Sequence, residues 1–283
     1  MENQKIIELF AESTLRKNVK WNNLLIKQQC PFINKKCVKI RKSEPSVAIG
    51  TCTVAYGKNN DNIIICPHRL TENNQIFLDC IHLLTLHEPG NELHIIPEVS
   101  IPGGSIDYIL ASVKNGKIKD FTGIELQTLD TTGSVWGYRQ SFLESQGIKQ
   151  SIFNKNVTFG MNWKMTAKTI LVQIHHKITT FENLNKHLVL VLQDCLMNYM
   201  KKEFSFEHIS AMPKIGDSFH FHNYQLLANK NKYRLSLLER TSTDANGIAR
   251  CLGLKAEANV ELEVILKMLE SKISEKTLLR LDS

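Results

Sequence analysis

A hairpin pattern over residues 105–129 constrains the fold of this chain more than any other feature of its sequence. SIDYILASV (105–113) is rich in large apolar and β-branched residues, and KIKDFTGIELQTL (117–129) partly alternates between apolar and polar residues. Between them lies Asn115-Gly116, flanked by lysines. This dipeptide suits a two-residue type I′ turn, in which both central residues need a positive φ. The sequence therefore predicts two long antiparallel strands whose register is set by the turn.

The register of this hairpin decides whether two of its acids meet. Strict pairing outward from the turn places Asp107 opposite Ile124, next to Glu125. Alternation of side chains would then put the two acids on opposite faces. A one-residue bulge, for which the stretch 120–123 offers room, would bring them onto one face. Gln127 shares a face with Glu125 in any register, so we expect all three polar residues at the end away from the turn.

Two acids at this position need a positive partner, because burying an unpaired charge is costly. Carboxylate oxygens with water suit Mg²⁺, and a bound Mg²⁺ polarises a phosphodiester and activates water. We therefore predict Asp107 and Glu125 as Mg²⁺ ligands and Gln127 as a residue that orients the water or contacts the phosphate. The alternative is that both acids are ordinary solvated residues at strand ends.

The positive charge of the chain is concentrated near its N-terminus. The net charge is +7, and residues 1–60 hold 11 Lys and Arg against 4 Asp and Glu, while the rest is balanced. Such a patch favours a polyanion such as nucleic acid, although a solvated basic face is the alternative. Trp136, Tyr138 and Arg139 suit either DNA contact or the anchoring of a loop. The predicted DNA-binding residues are Lys35, Lys36, Lys39, Arg41, Lys42 and Arg139.

Four cysteines within this basic region suggest a metal site. Cys30, Cys37, Cys52 and Cys66 are separated by 7, 15 and 14 residues, without a C-x-x-C pair. Four thiolates suit one closed tetrahedral site for Zn or Fe. The alternative is four unrelated buried thiols. The remaining cysteines, for which apolar surroundings predict core positions, are Cys80, Cys195 and Cys251.

The ends and apolar runs of the sequence predict a cytoplasmic protein. The stretch MENQKIIELFAESTLRKN is too polar for a signal peptide. LVLVL (188–192) is far too short to span a membrane. Seven cysteines, an odd number, then argue against a disulfide framework.

The remaining periodicities predict an α/β fold, with a mixed sheet flanked by helices and with the four-cysteine module at the N-terminus. His220 and His222 would share a strand face, and we interpret them as structural residues. The predicted domains are a basic four-cysteine metal-binding module (1–70), a catalytic core (71–205) and a C-terminal hairpin and helix packed on it (206–283). The predicted elements are helices at 76–86, 163–178, 195–204 and 256–273, strands at 92–101 and 187–194, a second hairpin at 219–244 and a loop at 128–146.

These patterns together resemble a known nuclease family. The order Glu98, Asp107, then Glu125-x-Gln127 resembles the catalytic set of the PD-(D/E)XK nucleases, with Gln in place of the usual Lys. CPFINKKCVKIRKS, GTCTV and IICPHRL resemble the N-terminal module of the NotI-type restriction endonucleases, and so does NW-x-M-x-x-K at 162–168. The resemblance spans residues 20–200 and is more specific in combination than any motif alone.

The resemblance implies a restriction-endonuclease-like fold and a homodimeric type II enzyme that cuts both strands of a palindromic duplex with Mg²⁺. It implies that Asp107 and Glu125 bind this metal, that Glu98 is a supporting acid and that the four cysteines hold structural iron or zinc. Gln127 then stands in the lysine position, where a neutral amide positions groups and the metal supplies the electrostatics. The rival hypotheses are a repair or recombination nuclease without a fixed site and a metal-knotted nucleic-acid-binding protein without catalysis.

Overall fold

The structure is a computed structural model that describes residues 5–149, 153, 158–254 and 262–271. The strands, numbered along the chain, are β1 (Ile6–Leu9), β2 (Glu12–Ser13), β3 (Gln29–Cys30), β4 (Lys35–Lys36), β5 (Ile40–Arg41), β6 (Glu44–Ala48), β7 (Thr51–Tyr56), β8 (Asp61–Ile64), β9 (Glu92–Ile101), β10 (Gly104–Lys114), β11 (Lys117–Gln127), β12 (Thr131–Gly133), β13 (Phe159–Met161), β14 (His187–Gln193), β15 (Phe219–Asn229) and β16 (Lys232–Thr243). The helices are α1 (Trp21–Lys27), α2 (Gln75–Leu78), α3 (Trp136–Ser145), α4 (Trp163–Asn183), α5 (Asp194–Glu203), α6 (Ala245–Cys251) and α7 (Leu262–Glu270), with 3₁₀ helices at Pro67–Asn74 and Ile81–Leu83.

A six-stranded sheet with the order β16-β15-β14-β11-β10-β9 forms the centre of the fold. β14 runs parallel to its neighbours β11 and β15, whereas the other neighbouring pairs are antiparallel. Parallel neighbours need a crossover connection, and α3 and α4 lie in the one that joins β11 to β14. The predicted mixed sheet flanked by helices is confirmed.

β14 is the central strand because both of its faces are apolar. Every residue of this strand is buried. Leu188, Leu190 and Leu192 share a core cluster with α4 and α5. Val189 and Val191 belong to the cluster on the other face, together with α2 and the two 3₁₀ helices. This arrangement explains the run LVLVL, since strands that are buried on both faces do not alternate with polar residues.

The first hairpin forms around the predicted turn. Asn115 and Gly116 have φ values of 53° and 70°, as a type I′ turn requires. Lys114 pairs with Lys117 across the turn. The second predicted hairpin, at 219–244, is confirmed as β15 and β16.

The N-terminal region forms a second sheet, β2-β1-β7-β8, with two short ribbons, β3-β4 and β5-β6. Its core is continuous with that of the central sheet, because Leu9, Val54 and Ile63 share one cluster with Ile170 and Ile174 of α4. The hairpin β15-β16 is likewise an integral part of the central sheet. The division at residues 70 and 205 therefore stays a prediction about sequence segments rather than a description of separate cores.

Two predicted elements are wrong. The stretch 76–86 is a short α2 followed by a 3₁₀ helix, because from Cys80 onwards the backbone hydrogen bonds span three residues and Leu84 leaves helical geometry. The stretch 128–146 is not a loop throughout, since it contains α3. Gly137 lowers the helix propensity there, but Phe142 packs edge-on against Trp21 at 5.1 Å and supports the helix.

The later helices agree better with the sequence. The predicted helices at 163–178 and 195–204 are confirmed as α4 and α5. The predicted helix at 256–273 corresponds to α7, and residues 255–261 and 272–273 lie outside the described residues. No helix in the described ranges is both long enough and apolar enough to cross a membrane.

Two histidines on β15 are buried as neutral groups. Burial lowers the pKa of His220 to about 4, and burial together with the Arg240 charge lowers the pKa of His222 well below its usual range. His222 Nδ1 lies 3.6 Å from the Cys80 sulfur, which is also buried as predicted. Cys251 is buried too, whereas Cys195 is half-buried.

These histidines predict a loss of stability in mild acid. Below about pH 6.5 the unfolded chain binds protons that the folded histidines exclude. The free energy of unfolding should therefore fall by about 1.4 kcal/mol per pH unit per histidine between about pH 6.5 and pH 4. Urea denaturation at pH values of about 7.5 and 5.5, on either side of the histidine titration, measures this change. The stability of the His222→Gln variant should change less between these pH values than that of the wild type. His94→Gln, at an exposed position, should change as much as the wild type. An unchanged pH dependence in His222→Gln contradicts the prediction.

Candidate active site

The bulge that the register required is present on β11. Ser112 pairs with Asp120 whereas Val113 pairs with Ile118, so Lys119 is the extra residue. The predicted one-residue bulge is thus confirmed, one position before the stretch 120–123. Beyond it the register continues to the pair formed by Tyr108 and Ile124, which brings Asp107 level with Glu125 on the adjacent strand.

The face of β11 that carries Glu125 is directed towards α4. Ile124 and Leu126 of β11 pack into the opposite layer, so the intervening Glu125 projects towards the helix. Gly123, on the same face, lies so close to α4 that a Cβ would fall 2.4 Å from the ring of Phe181. The hairpin and α4 therefore define the walls of the candidate site.

The strand backbone fixes Asp107. Its side chain is exposed, and the backbone N–H of Leu126 donates to Oδ2 over 2.8 Å. One carboxylate oxygen is therefore oriented by β11. An exposed acid whose geometry is set by backbone is suited to binding a cation from solvent.

Glu125 is buried and paired. Its side chain is 5% exposed, and the Nζ of Lys177 on α4 lies 2.8 Å from Oε1. Burial raises the pKa of Glu125 to about 7, and the negative charge of Asp107 adds to this rise although the bond from Lys177 opposes it. The two acids therefore affect each other electrostatically, and they share a need for positive charge.

Two glycines allow α4 to approach the start of β10. A Cβ on Gly103 would lie 2.3 Å from the carbonyl oxygen of His176, and one on Gly104 would lie 3.1 Å from Cε of Lys177. Both residues have positive φ, 95° and 137°. The sequence PGGS thus lets the helix deliver Lys177, a residue that the sequence reasoning missed.

Gln127 and Glu98 form no hydrogen bond or ion pair with Asp107 or Glu125 in the part of the chain that the structure describes. The Gln127 amide donates to the Thr128 carbonyl over 2.6 Å. Glu98 lies beside Asp107 on the edge strand β9, since the residues on either side of Asp107 pair with those on either side of Glu98. Its side chain is exposed and its φ is 54°. The predicted roles of both residues stay predictions.

The donor chemistry of the site fits Mg²⁺. Asp107 and Glu125 offer carboxylate oxygens at the end of the hairpin away from its turn, and Mg²⁺ binds a few carboxylates and completes its shell with water. Across the described ranges, no group of three or more His, Cys, Asp and Glu side chains forms a preassembled metal cage. The protein would thus supply only part of the coordination shell.

The four N-terminal cysteines converge on one small cavity. Cys30, Cys37, Cys52 and Cys66 all line it and all are buried. A hydrogen bond between the Cys52 and Cys66 thiols lowers the pKa of Cys66 and raises the pKa of Cys52. Gly50 also lines the cavity, and its φ of 68° and its contact with Phe10 leave no room for a Cβ. The four thiols, which we call the cysteine cluster, therefore line one cavity, although no three of them form a metal-binding group among the described residues.

The predicted DNA-binding residues differ in their exposure and in the contacts that they make within the protein. Lys35, Lys36 and Lys42 are exposed. The Nζ of Lys39 donates to the Ile65 carbonyl beside the cysteine cavity, over 2.9 Å. The cysteine cluster thus lies directly beneath part of the basic surface.

Trp136 lies between two arginines. The guanidinium carbons of Arg41 and Arg139 lie 4.6 Å and 4.5 Å from the centre of its ring. Arg139 is buried and donates from Nε to the Ile49 carbonyl over 2.7 Å. These contacts tie α3 to the N-terminal module and orient Arg41. DNA contact by Arg139 itself stays a prediction that they do not test.

A comparison with protein families finds one match. The family model described as Restriction endonuclease NotI matches residues 22–215. The match includes the four clustered cysteines, the hairpin with its acids and all of α4. No curated protein matches the chain significantly.

Proposed function

The chain belongs to the NotI restriction endonuclease family, and we propose that it is a Mg²⁺-dependent type II enzyme that cuts both strands of duplex DNA at a specific palindromic site. The observation that carries this proposal is the meeting of Asp107 and Glu125 at one end of the hairpin, within the matched region. The same arrangement supports membership of the PD-(D/E)XK group in its Glu-x-Gln form.

In the proposed mechanism Asp107 and Glu125 would hold Mg²⁺. The ion would polarise the phosphodiester and lower the pKa of the attacking water. Asp107 is held by the Leu126 N–H, and Glu125 by Lys177, so both carboxylates are oriented before DNA arrives. Gln127 orients the water or the phosphate after turning from Thr128, and Glu98 assists as an exposed neighbouring acid.

Two copies of the chain are proposed to act together. A palindromic duplex has twofold symmetry, and a homodimer with the same symmetry presents one site to each strand. The exposed Lys35, Lys36 and Lys42, together with Lys39, Arg41 and Arg139, support the N-terminal module as a DNA-contacting surface. Contacts of this kind to phosphates set the position of the protein on the duplex.

The test of this function is digestion of several large duplex DNAs with and without Mg²⁺, beside an EDTA control. Discrete fragments that require Mg²⁺ support the proposal, and mapping their ends gives the site. A smear without fixed ends favours a nuclease that lacks a recognition sequence. Tight binding to all DNAs without any cleavage contradicts the proposed nuclease activity and favours a DNA-binding protein without catalysis.

The cysteine cluster is proposed to hold structural iron or zinc. Its four thiols line one cavity, and a metal with four thiolate ligands would replace the Cys52–Cys66 hydrogen bond. Such a metal would stabilise the module that carries the basic residues and would take no part in catalysis.

We predict that the purified protein carries about one equivalent of iron or zinc. Cys37→Ser should lose most of this metal and at least about 2 kcal/mol of the free energy of unfolding, because structural metal binding contributes on the order of 10 kcal/mol to folding. Elemental analysis and urea denaturation measure the two effects. Cys195→Ser, at a half-buried thiol outside the cavity, is the control. A metal-free wild-type protein, or a stable Cys37→Ser, contradicts the assignment.

A further inference from the structure

The ion pair between Lys177 and Glu125 differs from comparable pairs in this protein. Its side chains are 7% and 5% exposed. Lys114–Glu88 and Lys201–Glu239 have the same 2.8 Å separation but remain at the surface. Taking such a pair out of water costs about as much as the attraction returns. Stability alone therefore gives no reason to bury this pair next to Asp107.

Close contacts between α4 and the start of β10 set the position of this lysine. Gly103 lets the helix backbone at His176 touch the start of β10, and Gly104 leaves space for the end of the Lys177 side chain. The ammonium group reaches Glu125 across 52 positions of sequence. The turn before β10 and the course of the helix therefore determine where the two side chains meet.

The motif on β11 that contains Glu125 supplies no positive charge of its own. The residue two positions after Glu125 is the neutral Gln127, whose amide is bonded to Thr128. Among the described residues, Lys177 is the basic side chain that pairs with an acid of the candidate site. The positive charge thus comes from the helix.

We propose that Lys177 is a positioning residue of the catalytic site, which holds one oxygen of Glu125 and supplies from α4 the charge that the Glu-x-Gln motif lacks. This inference rests on the proposed function. Lys177 acts through Glu125: it fixes the carboxylate in place and offsets part of the negative charge that a DNA phosphate meets on approach. Its role requires a cation at this point, and the hydrogen bond alone does not suffice.

Three substitutions and one relocation test the role. Lys177→Arg keeps the charge, Lys177→Gln keeps a donor without charge, and Lys177→Met keeps only the apolar stem. The double variant Lys177→Gln/Gln127→Lys moves the lysine to the strand. Lys114→Met, which breaks the exposed pair with Glu88, is the matched control. Cleavage of a duplex that the wild type cuts is measured at saturating enzyme, and affinity for the same duplex is measured in EDTA.

Lys177→Gln and Lys177→Met should lower the cleavage rate by about 100-fold or more, as expected for loss of a preorganised electrostatic contact. The cleavage rate of Lys177→Arg should stay within about tenfold of that of the wild type. The double variant Lys177→Gln/Gln127→Lys should cleave at least about tenfold faster than Lys177→Gln. In EDTA, Lys177→Gln should bind the duplex within about fivefold of the wild type, because one unit charge acting across a few ångströms of water is worth no more than this. The control should change neither quantity.

The outcomes separate this inference from the function on which it rests. A wild type that cuts DNA, with Lys177→Gln as active as Lys177→Arg, overturns the role of Lys177 and leaves the nuclease intact. A wild type that cuts no DNA overturns the proposed function and the role together. If Lys177→Met unfolds, the comparison of the Arg and Gln variants decides the question, after thermal unfolding has shown that both are folded.

Discussion

Asp107→Asn is expected to lower the rate of DNA cleavage by at least about 1000-fold while the affinity for duplex DNA in EDTA stays within a few-fold of the wild type. Loss of the carboxylate removes one of the two proposed Mg²⁺ ligands. A bound metal supplies several kcal/mol of stabilisation to the developing charge, and each ~1.36 kcal/mol is a factor of ten in rate. The amide keeps the size of the side chain and an oxygen for the Leu126 N–H. Single-turnover cleavage and gel-shift titrations measure the two quantities.

The control for this substitution is Asp61→Asn, at an exposed acid on β8 in the other sheet. It makes the same chemical change without altering the hairpin, so its cleavage rate should equal that of the wild type. Asp107→Asn that cuts DNA within about tenfold of the wild-type rate would falsify the assignment of Asp107 as a metal ligand. Weakened DNA binding without a separate loss of rate would place Asp107 in the DNA interface instead.

Local chemistry made the hairpin predictable. The Asn115-Gly116 turn fixes the pairing near it, and the need to bring Asp107 and Glu125 together indicated one extra residue. The structure places that residue at Lys119. Sequence reasoning reached the bulge, although it placed it at 120–123, because turn type, strand alternation and the position of the acids are all properties of one short, continuous stretch of the chain.

Long-range contacts explain what sequence reasoning missed. Lys177 meets Glu125 only because Gly103 and Gly104 let α4 descend onto β10. PGGS on its own does not indicate that α4, far along the chain, packs against it. The hydrogen bond that the Tyr224 hydroxyl donates to Asp79, 145 positions away, is a second contact of this kind. Helical periodicity alone cannot report such a contact.

A second buried ion pair shows how the N-terminal module is attached to the central sheet. Arg69, 1% exposed, pairs through Nε with Glu8 of β1 over 2.8 Å. It also pairs with Glu72 over 2.9 Å and donates from a terminal nitrogen to the Tyr233 carbonyl of β16 over 3.0 Å. One guanidinium thus joins the small sheet, the 3₁₀ helix before α2 and the edge of the central sheet. The module that carries the cysteines and the basic surface is fixed through this group.

Arg69→Met is therefore expected to lower the free energy of unfolding by about 3–5 kcal/mol, because it leaves the Glu8 carboxylate buried without its partner. Urea denaturation at neutral pH measures the loss. The double variant Arg69→Met/Glu8→Gln should recover part of it, since the uncompensated charge is gone. Arg16→Met, which breaks the more exposed pair with Glu12, should cost no more than about 1 kcal/mol. If Arg69→Met costs as little as Arg16→Met, the buried pair does not hold the module in place, and the shared apolar core alone attaches it to the sheet.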